Sequence, residues 1–407
     1  MRNKVKFFSF AKETSFYLAL AFLFLASSNF FGKQGFLLAF FAVFLSLYLL
    51  FDGLKRPDFG FFLLLLFGLL YNLFTFLDHT WGFNYLFYYL FLPILGYQFA
   101  FQEEKKSGKR TLLVLFFVSV GMFLHAVEVV GISFLFNGLR LGEGQPLFRS
   151  LSGDIMSRTG LSLYLMPAQG LAVAFLFSIR EFQRNRFFWM SVVLSLFVIA
   201  FGITTSSLVG NRAFLIAFAV LAVLAILNEC FQIKSDAVKI IASGICFVFF
   251  LCVMFLMAGI VPDFLKSIPV FERFLTGGSN SARLDIYKIF FTNFYLYPFG
   301  GVHRVIDEYY IHNFLLDIYN FGGVFPFVIF CFLFFVAALQ FAKRNASGVL
   351  QPRRRYYLYS MLSLFSIGLF EPIFQANQLT LFYFALFIGV GLYLRKPLDN
   401  GTGRISI

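Results

Sequence analysis

Residues 187–230 read FFWMSVVLSLFVIAFGITTSSLVGNRAFLIAFAVLAVLAILNEC, two apolar blocks joined at Gly210-Asn211-Arg212. Between Phe187 and Asn228 the one charged side chain is Arg212. Each block is long enough to cross a hydrocarbon layer of about 30 Å as a helix. In lipid only a helix or a closed barrel satisfies its own backbone hydrogen bonds. The apolar residues come in unbroken runs and do not alternate, which argues against an outer-membrane barrel. Similar blocks recur along the 407 residues. They predict twelve spans, at 13–32, 35–51, 60–77, 83–101, 111–136, 159–179, 187–204, 210–230, 238–259, 312–340, 355–372 and 376–394.

Composition carries the same message. Apolar residues make up 60% of the chain and charged residues 13%, against about 25% charged in an ordinary soluble domain. Phe alone contributes 66 residues, and the mean hydropathy is +0.81. A soluble enzyme, a disordered chain and a secreted disulfide scaffold are excluded. Cys230, Cys246, Cys252 and Cys331 show neither metal-ligand spacing nor a disulfide pattern. The expected fold is all-α: one integral membrane domain over residues 1–407, with about twelve transmembrane helices. A single long extracytoplasmic loop, about 260–311, is expected to carry an amphipathic helix.

A net charge of +13 could point to nucleic acid, but the distribution points to topology instead. With the N-terminus in the cytoplasm, 23 of the 33 Lys and Arg fall on that side, in short loops, as the positive-inside rule requires. Both termini are then cytoplasmic and no nucleic-acid partner is implied. The other ten gather at the outer face: Lys33, Arg140, Arg149, Arg158, Arg212, Lys266, Arg273, Arg283, Lys288 and Arg304. Cations that break the topology rule need another reason to be there, and an anionic ligand is the simplest.

The long loop is where charge and pattern meet. Ser281–Tyr297 has apolar residues near helical spacing, with Arg283 and Tyr287 four apart and so on one face. Pro298-Phe299-Gly300-Gly301 breaks it. His303-Arg304, then Asp307 and Glu308, lead to His312-Asn313 at the mouth of the next span. A helix lying at the membrane interface fits this stretch. Each residue also has a plainer reading: Arg212 as a snorkelling side chain, Arg283 as a solvating one, His312 as an interfacial one. His125 and Glu128 read as a proton relay or, more plainly, as a buried polar pair or a partner for the outer-face arginines, while Asp78, His79 and Glu371 sit at span ends, where solvation is the ordinary explanation.

The C-terminal half, about residues 150–345, resembles the O-antigen ligase and O-antigen polymerase superfamily of bacterial envelope glycosyltransferases. The resemblance rests on Thr205-Ser206-Ser207-Leu208-Val209-Gly210-Asn211-Arg212-Ala213, on Ala282-Arg283-Leu284-Asp285-Ile286-Tyr287, on Pro298-Phe299-Gly300-Gly301, on His312-Asn313-Phe314-Leu315-Leu316-Asp317, and on Gly322-Gly323. It implies His312, Arg283 and Arg212 as the catalytic positions. Arg212, Arg283, Arg273, Arg304, Tyr287 and Asn313 are the candidates for substrate binding, Arg273 and Arg304 as secondary ones. Tyr287 stands where many members have Trp, and Asp317 is the nearest counterpart of their Glu.

The chemistry suits those residue types. A glycan on a polyprenyl diphosphate has a diphosphate leaving group, and guanidinium groups bind its growing negative charge in bidentate geometry. A histidine can take the proton of the acceptor hydroxyl, typically worth ~10²–10⁴-fold. No acidic cluster has metal-binding spacing, so a metal-independent reaction without a cofactor is expected. The implied partners are the lipid-linked oligosaccharide donor, a glycan acceptor, the lipid bilayer, and a chain-length regulator or flippase. Polymerisation of surface polysaccharide (O-antigen, capsule or exopolysaccharide) is the leading reading. A ligase acting on lipid A core is the alternative. A flippase or transporter is a further one, but no internal repeat is visible and the charges gather at one outer face and in one long loop.

Overall fold

The computed structural model describes residues 2–53, 57–77, 83–137, 148–150, 155–179, 186–230, 270, 272, 282–300, 305–306, 311–343, 351–371 and 377–395. These residues are mainly helical; their one strand pairing is the two-residue antiparallel contact of Phe148–Arg149 with Ile155–Met156. Helices α1 (Arg2–Ser27), α2 (Gln34–Asp52) and α3 (Phe59–Leu77) precede α4, in which Phe83–Leu86, a π-helical turn at Phe87–Phe91 and Leu92–Lys106 run on without a break. Then come α5 (Lys109–Asn137), α6 (Arg158–Phe177), α7 (Arg186–Val209) and α8 (Arg212–Cys230). Helix α9 (Ala282–Asn293) tightens into a 3-10 turn at Phe294–Leu296 and is followed by α10 (Phe314–Gly322), α11 (Val324–Ala342), α12 (Pro352–Gly368) and α13 (Leu379–Arg395).

Among the described residues, seven helices are long and apolar enough to cross a membrane: α1, α2, α5, α6, α7, α8 and α11. Helices α3 and α13 are apolar as well, over the stretches Phe59–Thr75 and Leu379–Leu394. The chain is an all-α, multi-pass membrane protein. Its outward faces fit that solvent. Helix α11 exposes Phe325, Val328, Phe332, Phe335 and Leu339 while burying Phe330, Leu333, Phe334, Ala337 and Phe341. The exposed residues recur at steps of three and four, one stripe of a helix. Lipid tails solvate such a stripe, so burial alone does not hold helix to helix, and close packing has to. Small residues provide it. A Cβ added to Gly389, Gly170 or Gly121 would come within 3 Å of the carbonyl oxygens of Tyr97, Tyr359 and Phe24 respectively. At these glycines α13 packs against the backbone of α4, α6 against that of α12 and α5 against that of α1.

The structure departs from the expected span at 312–340, which is two helices. Gly323 separates them at φ 78°, a conformation costly for any residue with a Cβ. A Cβ there would also stand 2.5 Å from the Pro298 carbonyl oxygen. That oxygen accepts from Val324 N at 2.8 Å, so the Pro298-to-Gly300 turn plugs the break. Helix α10 has nine residues, about 13 Å of rise, and is too short to span. The expected span at 238–259 lies outside the described residues.

Polar contacts sort the helix ends into two sets. One set, here the basic end, includes the start of α1 and the end of α2: Lys12 pairs with Asp52 at 2.6 Å, and Lys106 of α4 reaches the same carboxylate at 2.6 Å. It also includes the end of α8 and the start of α12, where Arg355 meets Glu229 through Nε at 2.9 Å and Nη2 at 3.0 Å. Because α8 and α12 lie antiparallel, their other ends, Arg212 and Leu369, share the opposite end of the bundle. The α6 start is there too, since Asn211 Nδ2 donates to Ser162 Oγ at 2.6 Å.

Candidate functional site

The site builds up from the turn Ile311-His312-Asn313 at that opposite end. Asn313 caps α10: its Oδ1 accepts from Leu315 N at 3.1 Å and from Leu316 N at 3.3 Å. These are backbone donors that a helix start otherwise leaves unsatisfied. Its Nδ2 donates to Leu369 O at 3.2 Å and ties the turn to the end of α12. Asp317, fully buried one turn into α10, accepts from Ile311 N at 2.7 Å. Burial pushes the Asp317 carboxyl up to about 7; the Ile311 and Asn313 N–H groups oppose the rise and the Glu371 charge adds to it.

Between these two anchors His312 takes φ 62°. A left-handed backbone at a residue other than glycine costs about 1–3 kcal/mol and persists where neighbours over-determine it. The His312 side chain is half-exposed, and its Nδ1 stands 3.9 Å from Glu371 Oε2. Glu371 is only 2% exposed, so the carboxylate is held inside the bundle end and not in solvent.

The loop helix packs beside this turn. Ile286 and Phe290 of α9 bury against Val305, Ile306, Ile311 and Tyr319, and the Tyr319 hydroxyl donates to Phe294 O at 2.8 Å. Tyr287 packs at the edge of the same cluster. The other face of α9 and its 3-10 turn exposes Ile289, Phe291, Tyr295 and Leu296, with Phe299 beyond, in contact with Phe74 of α3. The expected helix at Ser281–Tyr297 is therefore present over its described part, with one face on the site and one apolar face turned out. Arg283 stands in its first turn; its side chain lies outside the described residues.

Arg212 opens α8 and is half-buried. It follows Gly210, at φ 73°, and buried Asn211, whose Oδ1 accepts from Phe214 N at 3.3 Å. His125 and Glu128 on α5 form a pair, Nδ1 to Oε2 3.2 Å, in which His125 is buried and Glu128 half-exposed, with the ring edge-on to Tyr164 of α6. Helices α5 and α7 meet near there through Val129 and Val209. Thus Arg212, His312, Asn313 and the backbone of Arg283 belong to one end of the molecule. Arg273, Arg304, His303, Asp78 and His79 lie outside the described residues.

Glu371 is the residue whose role sequence reasoning passed over as span-end solvation. The signal was available: it is the one charged residue between Arg355 and Arg395. An ionisable group isolated in apolar sequence is a functional candidate by default. Among the described residues no three His, Cys, Asp or Glu side chains gather as a cation site would need. A groove of about 350 Å³ between α2 and the π-helical turn, lined by Ala39, Val43, Ser46, Leu47, Phe87 and Phe91, carries no titratable group and belongs to the lipid-facing surface. No protein-family model and no curated protein matches the chain.

Proposed function

We propose that the chain is a membrane glycosyltransferase that uses a polyprenyl-diphosphate-linked oligosaccharide and polymerises surface polysaccharide at the outer face of the cytoplasmic membrane. The observation that carries the reading is His312, held in a left-handed turn by Asn313 and Asp317. It stands at the bundle end where α8 begins with Arg212. On this reading the chain has twelve spans, both termini are cytoplasmic, and the loop at 260–311 is outside.

In the proposed reaction the acceptor hydroxyl gives its proton to His312 as its oxygen attacks the anomeric carbon. The bond from that carbon to the diphosphate oxygen breaks, and the diphosphate keeps the electron pair. Arg212 and Arg283 bind the charge that develops there, at a membrane edge where such contacts exceed their strength in water. Tyr287, Asn313, Arg273 and Arg304 are the candidates for holding the glycan and the lipid diphosphate.

The test is purified protein in lipid vesicles, given lipid-linked repeat units with EDTA present. Polymer from donor alone supports the proposal. Product only after addition of lipid A core makes the protein a ligase, and donor moved across the bilayer with no new bond makes it a flippase. The topology has its own test: Ser279→Cys should react with an impermeant thiol reagent added outside. Reaction only after permeabilisation refutes the outer placement of the loop and the mechanism with it.

A further inference from the structure

We propose that Glu371 is the positioning residue of His312, its carboxylate turned to Nδ1 so that Nε2 is the edge offered to the acceptor. This rests on the transferase reading above for its catalytic consequence, but the pairing itself stands on geometry. The approach is 3.9 Å, within reach of a charge–charge contact and beyond a hydrogen bond. The Glu371 side chain is 3% exposed and that of His312 37%, so one partner is fixed inside and the other opens outward.

The backbone is built to keep them facing. Asn313 Nδ2 holds Leu369 O, two residues before Glu371, so the turn and the acid move together. Asp317 holds Ile311 N, and the φ of 62° at His312 follows from being pinned on both sides. Nothing in α10 alone requires the left-handed residue; what it achieves is to bring the ring toward α12.

The two nitrogens of the ring then have different tasks. A carboxylate beside Nδ1 favours the tautomer with its proton there, which leaves the Nε2 lone pair free to take a proton. When Nε2 accepts the acceptor's proton, the ring becomes an imidazolium, and the Glu371 charge stabilises it. Glu371, from the end of α12, stands at the Nδ1 edge of the ring, and the buried Asp317 of α10 interacts with the Glu371 charge. A charged Glu371 raises the proton affinity of the ring.

The experiment reads the ring directly. Acylation of His312 by diethyl pyrocarbonate, followed by peptide mass spectrometry across pH, gives its titration midpoint in the full-length protein in detergent. Glu371→Gln should lower that midpoint by about one unit, and kcat for glycan transfer at the wild-type pH optimum should fall about tenfold or more. The donor KM should change little. The acid limb of the rate profile should move with the midpoint. An unmoved midpoint overturns the proposal, even where activity is lost, because lost activity alone is what a merely structural acid would give. If Glu371→Gln does not fold, Glu371→Asp carries the test: it draws the carboxylate back by one methylene and should lower the midpoint by less, and an unmoved midpoint again overturns it. A midpoint that shifts in a protein whose wild type turns over no donor upholds the pairing and refutes the transferase reading.

Discussion

The two ends of the bundle use the same residue types for opposite purposes. At the basic end, cations close on carboxylates and join helices. Arg353, Arg354 and Arg355 are consecutive, yet each goes elsewhere: Arg353 to Glu104 of α4, Arg354 to the carbonyls of Gln340 and Lys343 at the end of α11, and Arg355 to Glu229 of α8. Three charges that read as topology signals are also staples between four helices. At the other end His312 sits on one strained turn, and its 3.9 Å approach to Glu371 is looser than these staples. The difference teaches how to read a charge in a membrane protein: a closed pair at the rim holds helices together, while a histidine on a pinned turn keeps one ring edge toward an acid and leaves the other open.

The strongest break of this comparison is at the histidine end. His312→Ala should reduce glycan transfer by ~10²–10⁴-fold, the usual worth of a general base. Donor binding and thermal unfolding should be nearly unchanged, because the turn is held by Asn313 and Asp317 and not by the ring. His303→Ala is the control; a dead His303 variant beside a fully active His312 variant would show that the base is misassigned.

Nearly as large, but on the other axis, is Arg355→Ala. Its side chain is 6% exposed and its bidentate partner Glu229 14%, so removal strands a buried carboxylate that Tyr359 also holds at 2.6 Å. About 3–5 kcal/mol of stability should be lost. Transfer per folded molecule should stay at the wild-type value. Replacing Arg355 and Glu229 together by Met and Leu should recover most of the loss, since neither charge is then stranded. Equal loss in single and double variants, read by thermal unfolding in detergent, would remove the staple from the comparison.

Arg212→Lys keeps the charge and loses the planar fork. The expected cost is about 2–4 kcal/mol of transition-state binding, with little change in unfolding. Wild-type donor turnover by this variant and by Arg283→Lys would take the diphosphate clamp out of the mechanism.

How much of this was legible beforehand divides along physical lines. The long spans were, because lipid imposes uninterrupted apolar runs, and α2, α5, α6, α7 and α8 fall where those runs predict, whereas α1 starts eleven residues before its expected span. The helix at Ala282–Asn293 was also legible, being local in sequence, whereas Asn313 was read as a binding residue and not as the cap of α10. The break at Gly323 was not. Gly322-Gly323 sits in a run apolar enough to read through, and what fixes the break is Pro298, twenty-five residues away, seated against it. The site was half visible for the same reason. His312 and Asn313 announce themselves at a span mouth, whereas Glu371 acquires its place through the long-range contact of the end of α12 with the turn, which no window of sequence contains.

Gly323→Ala probes that long-range plug. The residue has φ 78° and ψ −172°, a region almost confined to glycine, where a side chain costs about 1–3 kcal/mol. The clash with Pro298 should also loosen α9 from the site. Both stability and transfer are expected to fall together, which neither end does alone. A drop in stability with transfer per folded molecule unchanged would mean that the plug holds the fold but does not position the site.

The smallest effect is expected back at the basic end, and it tests whether every staple there is equal. Lys106 reaches Asp52 at 2.6 Å and Glu103 at 2.8 Å, yet its side chain is 35% exposed. Water and salt can therefore screen it, and surface pairs are worth about 0–1 kcal/mol. Its partners also keep other contacts. Lys12 remains on Asp52, and the hydroxyl of Tyr48, itself fully buried, donates to Glu103 and accepts from Arg110 at 2.8 Å. Lys106→Ala should then lower stability by less than about 1 kcal/mol, and the loss should shrink further as ionic strength rises. Arg355→Ala, by contrast, should keep its penalty in high salt, because ions do not reach a buried pair. Thermal unfolding of both variants in low and high salt separates the two cases. A salt-independent penalty for Lys106→Ala as large as that for Arg355→Ala would mean that exposure does not grade the staples, and that the basic end behaves as one buried network.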